Sequence, residues 1–574
     1  MVKVEILNNR IYINSEMRDK ELCKSIPGAR FDRDHRMWHV PLSWAACKQL
    51  RGTFGNRLEI GEELIKWATQ EVSERITPSM VLRDALTVSN SDGLSPGLYP
   101  FQQAGTQFLI TARHALLGDP MGAGKTIQVI AAARFLNALP MLVVCPNSMK
   151  RTWKREIEKW WPGIPVYVVE GTAAKRAKCF ALAAKSPGAV VINWESVRLH
   201  SRLAPYGSVT LSETEKTPKE LNHIPFKLVV ADEAHRMKDP KSKQTRAVWA
   251  TAHAPTVDFR WALTGTPLTK APDTLYPVLH FLSPTEWPGK TAYIDRYCMA
   301  SFNAWGGLDI FGIKPDMESE FFSIFDPRFR RLPKEVILPD LPPITYERRD
   351  VEMNTKQRKA YDSMAESLFS ETEDGSMLIA RNPISQLTRL TQFASAYIEV
   401  TEDGARLSDP SCKLDQLMVD LDDYLSDDEG VVVFAQSRQL IRMASARLEK
   451  AGILHSVIEG GQTVETRQNV IDAFQEGKVS VILIVIAAGG VGLTLTRGRI
   501  GIFLQRSWSN VDQQQAIGRL HRIGAEHHES IVIIDYVTTG TIEEGQLEIL
   551  AGKGEMLEEI VRDRTAIQRL LKGI

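Results

Sequence analysis

Cysteine is scarce in this chain, and the few that occur form no pattern. The six among 574 residues (Cys23, Cys47, Cys145, Cys179, Cys298 and Cys412) include no C-x-x-C pair. That spacing argues against a zinc site and a disulfide framework, and it fits a reducing intracellular compartment. Long apolar runs are missing as well. The longest, VSVILIVIAA from Val479, is far shorter than the about 20 residues that cross a bilayer. The first residues, MVKVEILNNRIYIN, alternate like a strand and do not read as a signal peptide. An excess of one charge is also lacking: 70 Lys and Arg balance 70 Asp and Glu. No global field draws the chain to a polyanion, so any such site must be a local basic groove. There are no sequence repeats of about 20–50 residues and no basic localisation runs. These absences predict no membrane partner. The expected location is the cytoplasm of a bacterial, archaeal or virus-infected cell, or the nucleus if the chain is eukaryotic.

What is present is an ordinary globular composition, 43% hydrophobic and 24% charged, in a chain too long for one core. At about 100–200 residues per domain, three or four units are expected. Residues 1–60 alternate around turns such as Ile26-Pro27-Gly28 and read as a small α+β module. Eleven Lys and Arg against seven Asp and Glu make it locally basic. Residues 61–97 read as a helical segment ending in the linker SNSDGLSPG. From 98 to 282 the runs ALLGD, MLVVCP, VYVVE, AVVINW, KLVVADE and RWALTGTP alternate with helical stretches. This predicts βαβ units and a parallel sheet. Residues 283–410 are irregular and read as helical insertions plus an inter-lobe linker. The basic stretch from Arg328 to Lys334 lies there, with Arg330, Arg331 and Lys334 facing either DNA or an acidic surface. From 411 to 545 the alternation returns as a second parallel sheet. The acidic run from Asp420 to Glu429 is expected to be a solvated helix end and loop. Residues 546–574 read as a C-terminal helix. The fold class is therefore α/β, with two tandem parallel-sheet lobes.

The stretch GDPMGAGKT, Gly118 to Thr126, follows an apolar strand and opens a helix. It reads as a phosphate-binding loop. Gly122 and Gly124 let backbone N–H groups approach phosphates at a helix N-terminus. Lys125 reaches the terminal phosphates and the Thr126 hydroxyl ligates magnesium. Asp119 stands where such loops usually carry their first glycine. Asp232-Glu233-Ala234-His235 follows a second apolar strand, where α/β sheets bind ligands. Asp232 is expected to hold magnesium through water and Glu233 to activate the attacking water. Leu263-Thr264-Gly265-Thr266-Pro267 ends another strand, either a phosphate sensor or a simple turn. In the second sheet, Ala487-Ala488-Gly489-Gly490-Val491-Gly492-Leu493-Thr494 permits close approach to a phosphate backbone, or is a tight turn. Arg519 and Arg522, three apart on an expected helix, share a face. Set against a γ-phosphate they would stabilise the transition state; otherwise they form a basic solvated face.

In this order the four blocks resemble the superfamily-two nucleic-acid motors, and in detail the Swi/Snf-type double-stranded DNA translocases. Leu98-Tyr99-Pro100-Phe101-Gln102-Gln103 resembles their leading glutamine motif, which implies that Gln102 reads adenine. LVVCPNSMKRTWKREIEKW from Leu142 resembles their motif Ia, with its "W..E...W" pattern. DEAHRMKDPKS from Asp232, RYC at Arg296, RFRRLPKEVILPDLPP from Arg328 and HRIG at His521 extend the likeness over about residues 95–545. The resemblance implies two RecA-like lobes of the P-loop NTPase type, with ATP and magnesium as cofactors. It places Pro146, Asn147 and Ser148, together with Gly492 and Thr494, on the phosphates of one DNA strand. It also implies that His235 makes inter-domain hydrogen bonds. Pro120 and Ala123 replace the family's usual Glu and Leu, and Gln505-Arg506-Ser507-Trp508 departs from its usual acidic residue and Trp-Asn-Pro. Residues 26–42, with Phe31 and Trp38 among basic side chains, resemble the HARP-type module of annealing helicases; Trp38 itself reads as core.

The expected function is an ATP-dependent motor on double-stranded or forked DNA that remodels or anneals strands. An RNA helicase, a restriction-system motor subunit and an annealing scaffold with a dispensable ATPase are the alternatives.

Overall fold

The computed structural model describes residues 1–89, 92–265, 272–302, 307–367, 369–371, 377–379, 383–401, 404–427, 429–487, 493–508 and 510–552. The chain divides into two units, Met1–Ile337 and Leu338–Ile574.

The first unit begins with a five-stranded sheet of β1 (Val2–Leu7), β2 (Arg10–Asn14), β3 (Arg30–Asp32), β4 (Met37–Pro41) and β5 (Leu58–Ile60), ordered β3-β4-β2-β1-β5. Alternation turns Val2, Val4, Ile11 and Ile13 inward against Leu50 and Phe54 of the helix Trp44–Phe54. The same helix docks on a later part of the unit. Trp44 Nε1 donates to the Ser323 carbonyl at 3.1 Å and Gln49 Nε2 to the Tyr297 hydroxyl at 3.0 Å. Arg296 binds both Glu320 oxygens, at 2.6 and 2.7 Å, and the Gln49 carbonyl at 3.2 Å.

The main sheet of this unit contains β6 (His114–Leu117), β7 (Met141–Cys145), β8 (Val166–Val168), β9 (Ala189–Asn193), β10 (Leu228–Asp232) and β11 (Phe259–Leu263). A separate hairpin, β12 (Cys298–Phe302) and β13 (Leu308–Ile313), precedes its seventh strand, β14 (Phe329–Arg330). The order is β14-β6-β11-β10-β7-β9-β8, with every pair parallel. Strands β7, β9 and β10 are buried along their whole length, as a parallel sheet covered on both faces requires.

The second unit carries β15 (Ile344–Val351), two hairpins of β16 (Phe369–Glu371) with β17 (Met377–Ile379) and β18 (Tyr397–Thr401) with β19 (Gly404–Ser408), then β20 (Gly430–Ala435), β21 (His455–Ile458), β22 (Val481–Val485), β23 (Gly498–Phe503) and β24 (Ile531–Thr538). Its parallel sheet is ordered β15-β24-β23-β20-β22-β21. Lys413 is fully buried and fastens strand ends here: Nζ donates to the carbonyls of Leu504 and Tyr536 and to Glu543 at 2.6 Å.

Two sequence expectations change. Residues 283–410 are not one insertion and linker, because β14 completes an edge of the first sheet while β15 pairs with β24 over eight residues in the second. Asp420 is not solvated; it is buried, accepts from the Tyr536 hydroxyl and pairs with Arg349 at 3.0 Å. The last described helix is Ile542–Gly552, so most of the expected C-terminal helix lies outside the described residues. No helix among the described residues is long and apolar enough to cross a membrane.

A buried ion pair secures the amino side of the first sheet. Arg328 grips both oxygens of Glu286, at 2.7 and 2.8 Å. Burial alone would raise the Glu286 carboxyl, but Arg328 holds it below its ordinary value. Its stabilising contribution is therefore complete above the unfolded value, about 4.3, and is lost as pH falls through the folded one. Urea unfolding at pH 7 should find Glu286→Gln destabilised by about 3 kcal/mol. The gap to wild type should shrink as pH falls below the carboxylate range.

Candidate active site

The carboxyl edge of the first sheet carries the loop from Gly118 and the Asp232-Glu233 pair. Strand β6 ends at Leu117, the loop from Gly118 follows, and the helix Lys125–Phe135 begins at once. Gly124 caps that helix at φ +74°, and a Cβ there would stand 2.4 Å from Gln102 Nε2. Both the backbone and the close neighbour thus call for glycine. Gly122 and Thr126 line the same half-buried turn. Lys125 Nζ donates to the carbonyls of Asp119 (2.6 Å) and Pro120 (3.1 Å), so the loop curls round the amine. Burial pushes this amine down, while Glu233, Asp119 and Asp232 act to raise it. Pro120 serves through its carbonyl, which also accepts from Ala123 N. The Gln102 amide is engaged within the protein: Oε1 accepts from Tyr99 N and Nε2 donates to the Ala123 carbonyl.

Asp119 is fully buried. Its Oδ1 accepts from Leu332 N at 3.2 Å, Oδ2 from Gln128 at 3.4 Å, and Arg330 Nε stands 4.0 Å from Oδ2. Burial pushes the Asp119 carboxyl up, and Arg330 and Lys125 oppose that. Arg330, expected at a surface, has no exposed side-chain area. Its guanidinium donates to the carbonyls of Leu82, Arg83 (3.0 Å), Ala85 (2.9 Å) and Phe101 (3.2 Å). Gly105 makes room for Gln128, the partner of Asp119: a Cβ there would stand 1.8 Å from Gln128 Oε1. Arg331 and Lys334 are at least partly exposed.

At the end of β10, Asp232 and Glu233 are both buried. Trp153 Nε1 donates to Asp232 Oδ2 and Trp194 Nε1 to the Asp232 carbonyl, each at 2.9 Å. Oδ1 accepts from Glu233 N. Burial, and then the neighbouring Glu233, push the Asp232 carboxyl up. Glu233 adopts a left-handed backbone, φ +54°. His235 lies 3.3 Å from Glu233 Oε2 and 3.3 Å from Thr264 Oγ1, so the contacts seen for it are inside the first unit. Sequence reasoning missed both tryptophans. The available signal was the indole N–H, which needs a partner when buried.

The site fits a hard cation beside a polyphosphate. Two adjacent buried carboxylates, a hydroxyl at Thr126 and a single amine leave negative charge that a magnesium ion would balance. Among the described residues no cluster of three His, Cys, Asp or Glu could hold a metal, so such an ion would be completed by substrate oxygens and water.

Farther along the same edge, Pro146 is buried after β7, and Asn147 and Ser148 are exposed in the turn Asn147–Met149. Asn147, Lys150, Arg176, Asn193 and Ser196 line a cavity of about 330 Å³. In the second unit, Thr494 is half-buried, while Gly492, with Ala488 to Val491, lies outside the described residues. Thr266 and Pro267 lie outside them as well. Arg519 sits in the last turn of the helix Asn510–Leu520, and Arg522 lies beyond its end. The two therefore do not share a helical face, because the chain turns at His521–Gly524, with Ala525 N bound to the Arg522 carbonyl. Both instead hold the Leu493–Leu495 segment: Arg522 Nη1 donates to the Leu493 carbonyl, and the Arg519 carbonyl accepts from Leu495 N.

Comparison with known proteins matches residues 62–396 to the SNF2-related domain and residues 413–524 to the helicase conserved C-terminal domain. Protein CHROMATIN REMODELING 5 of Arabidopsis thaliana is 26% identical over 502 residues, covering 82% of this chain and 27% of that protein. Chromodomain-helicase-DNA-binding protein 1-like of Danio rerio is 26% identical over 503 residues, covering 81% and 46%. The chain thus spans less than half the length of these relatives. A Sulfolobus solfataricus SWI2/SNF2 ATPase core, solved in complex with dsDNA, aligns with 84% of this chain and 99% of its own at 21% identity and a TM-score of 0.37.

The Asp119 environment yields a stability test. Asp119→Ala leaves the Arg330 guanidinium buried without its carboxylate and strands the Leu332 N–H. Urea unfolding should record a loss of about 3–5 kcal/mol. Asp119→Asn keeps an acceptor for Leu332 and should lose less, about 1–2 kcal/mol.

Proposed function

The chain belongs to the SNF2-related family, and on that premise we propose that it is an ATPase that uses hydrolysis to move along duplex DNA. The observation that carries this reading is the convergence of the Lys125 amine with the carboxylates of Asp232 and Glu233 at one sheet edge. ATP bound with magnesium supplies the phosphoanhydride whose hydrolysis drives the motor.

Lys125 holds the terminal phosphates, and the backbone from Gly122 to Thr126 cradles them at a helix N-terminus. Thr126 and Asp232 hold the metal, with Trp153 and Trp194 fixing the Asp232 carboxylate and backbone. Glu233 takes the proton of the attacking water, and His235 orients Glu233. Gln102 serves the adenine side of the loop. By motif order, Arg519 and Arg522 serve ATP turnover from the second unit.

Asn147 and Ser148 grip DNA phosphates, as do Gly492 and Thr494 in the second unit. Backbone contacts of that kind carry no sequence information, which suits movement along any duplex. In the amino-terminal module, Phe31 is 51% exposed and meets Trp38 edge-on at 5.5 Å, and Arg30, Arg33 and Arg36 are close to it in sequence. This surface contacts unpaired bases, which adds remodelling or annealing of forked DNA, in replication, recombination or repair, to translocation.

ATP turnover measured with duplex DNA, single-stranded DNA and RNA tests the reading. Duplex DNA should stimulate most, and Lys125→Ala and Glu233→Gln should each cut stimulated kcat by about 100-fold or more. Stimulation by RNA equal to that by duplex would defeat the proposal. For the module, Phe31→Ala combined with Arg33→Ala should weaken forked DNA binding about 10-fold and spare plain duplex. An equal loss on both DNAs would remove the module from strand recognition.

A further inference from the structure

We infer that Arg331 is a nucleotide-binding residue, supplied by the same unit as the phosphate loop and held beside that loop by its neighbours in the chain. The inference rests on the ATPase reading above and adds a residue that the phosphate-loop and Asp-Glu motifs do not contain.

The placement comes from backbone geometry. Strand β14 runs parallel to β6, with Phe329 opposite Leu116 and Arg330 opposite Leu117. Gly118 N donates to the Arg330 carbonyl at 2.7 Å, and Leu332 N donates to Asp119 Oδ1 at 3.2 Å. Residue 331 lies between these two hydrogen bonds, so it is pinned alongside the first residues of the phosphate loop. It also follows a strand end at the carboxyl edge, where parallel sheets bind ligands.

Successive side chains of an extended segment point to opposite sides. Arg330 points inward and is fully buried, whereas Arg331 is exposed. Its guanidinium makes no hydrogen bond or ion pair among the described residues. A planar guanidinium suits phosphate oxygens, which it can engage with two parallel hydrogen bonds. DNA phosphates share that chemistry, but the pinning to Gly118 and Asp119 favours the nucleotide.

The test is titration of the full chain with a fluorescent non-hydrolysable ATP analogue and magnesium, without DNA. Alongside it runs titration with plain duplex DNA, without nucleotide. Arg331→Ala should bind the analogue about 10-fold more weakly, Arg331→Lys should recover part of the loss, and duplex affinity should stay at the wild-type value. Analogue affinity within about two-fold of wild type in Arg331→Ala overturns the inference. So does a loss confined to duplex binding, which would make Arg331 a DNA contact. Lys125→Ala separates the two readings: if it also binds normally, the nucleotide site itself is misplaced, and if it alone binds weakly, only the role of Arg331 falls.

Discussion

A single guanidinium, withdrawn from water, ties together the parts of the first unit that shape its phosphate loop. Arg330 takes carbonyls from the end of the helix Thr77–Asp84 and from the helix Pro100–Ala112, and stands over Asp119. Burying that charge is expensive, and the expense is offset by carbonyl dipoles at a helix C-terminus and by the carboxylate. Arginine suits the position because its five N–H donors lie in one plane and can serve several acceptors at once. The loop conformation is therefore a product of tertiary structure. Segments 213 residues apart in the chain must meet before Asp119 can accept from Leu332 N.

The second unit solves a similar problem with a different cation. Lys413 binds the carbonyl at the end of one strand, a carbonyl inside another and the carboxylate of Glu543. In both units a buried positive charge collects several backbone oxygens in the interior. Aromatic donors do the complementary work around Asp232, where two indole N–H groups hold an acidic residue without neutralising it. The carboxylate loses its freedom to turn.

Much of this was legible in the sequence. The apolar runs marked the central strands, and the loop from Gly118 and the Asp232-Glu233 pair stood at strand ends where an α/β sheet places a site. The remainder depended on distant partners. Nothing local distinguishes a buried Arg330 from an exposed Arg331, since a two-residue strand is too short to show a period. Asp420 looked solvated because its acidic neighbours are, whereas Tyr536 and Arg349 lie far along the chain. Arg519 and Arg522 had helical spacing, yet the helix stops between them. The edge strands β14 and β15 were hidden inside an irregular, polar segment because an edge strand need not be apolar on both faces.

The left-handed backbone at Glu233 carries a further meaning. Neighbouring residues of a strand send their side chains to opposite faces, so an unbroken extended chain would separate the two carboxylates of Asp232 and Glu233. Reversing the sign of φ at the second residue brings both to the side of Lys125. A non-glycine residue in that region costs about 1 kcal/mol or more. Glycine would relax the backbone and remove the carboxylate; aspartate would tolerate the turn with a shorter reach. Position 233 is thus a point where conformational preference and chemical need select different amino acids, and the chain has kept the chemically useful one.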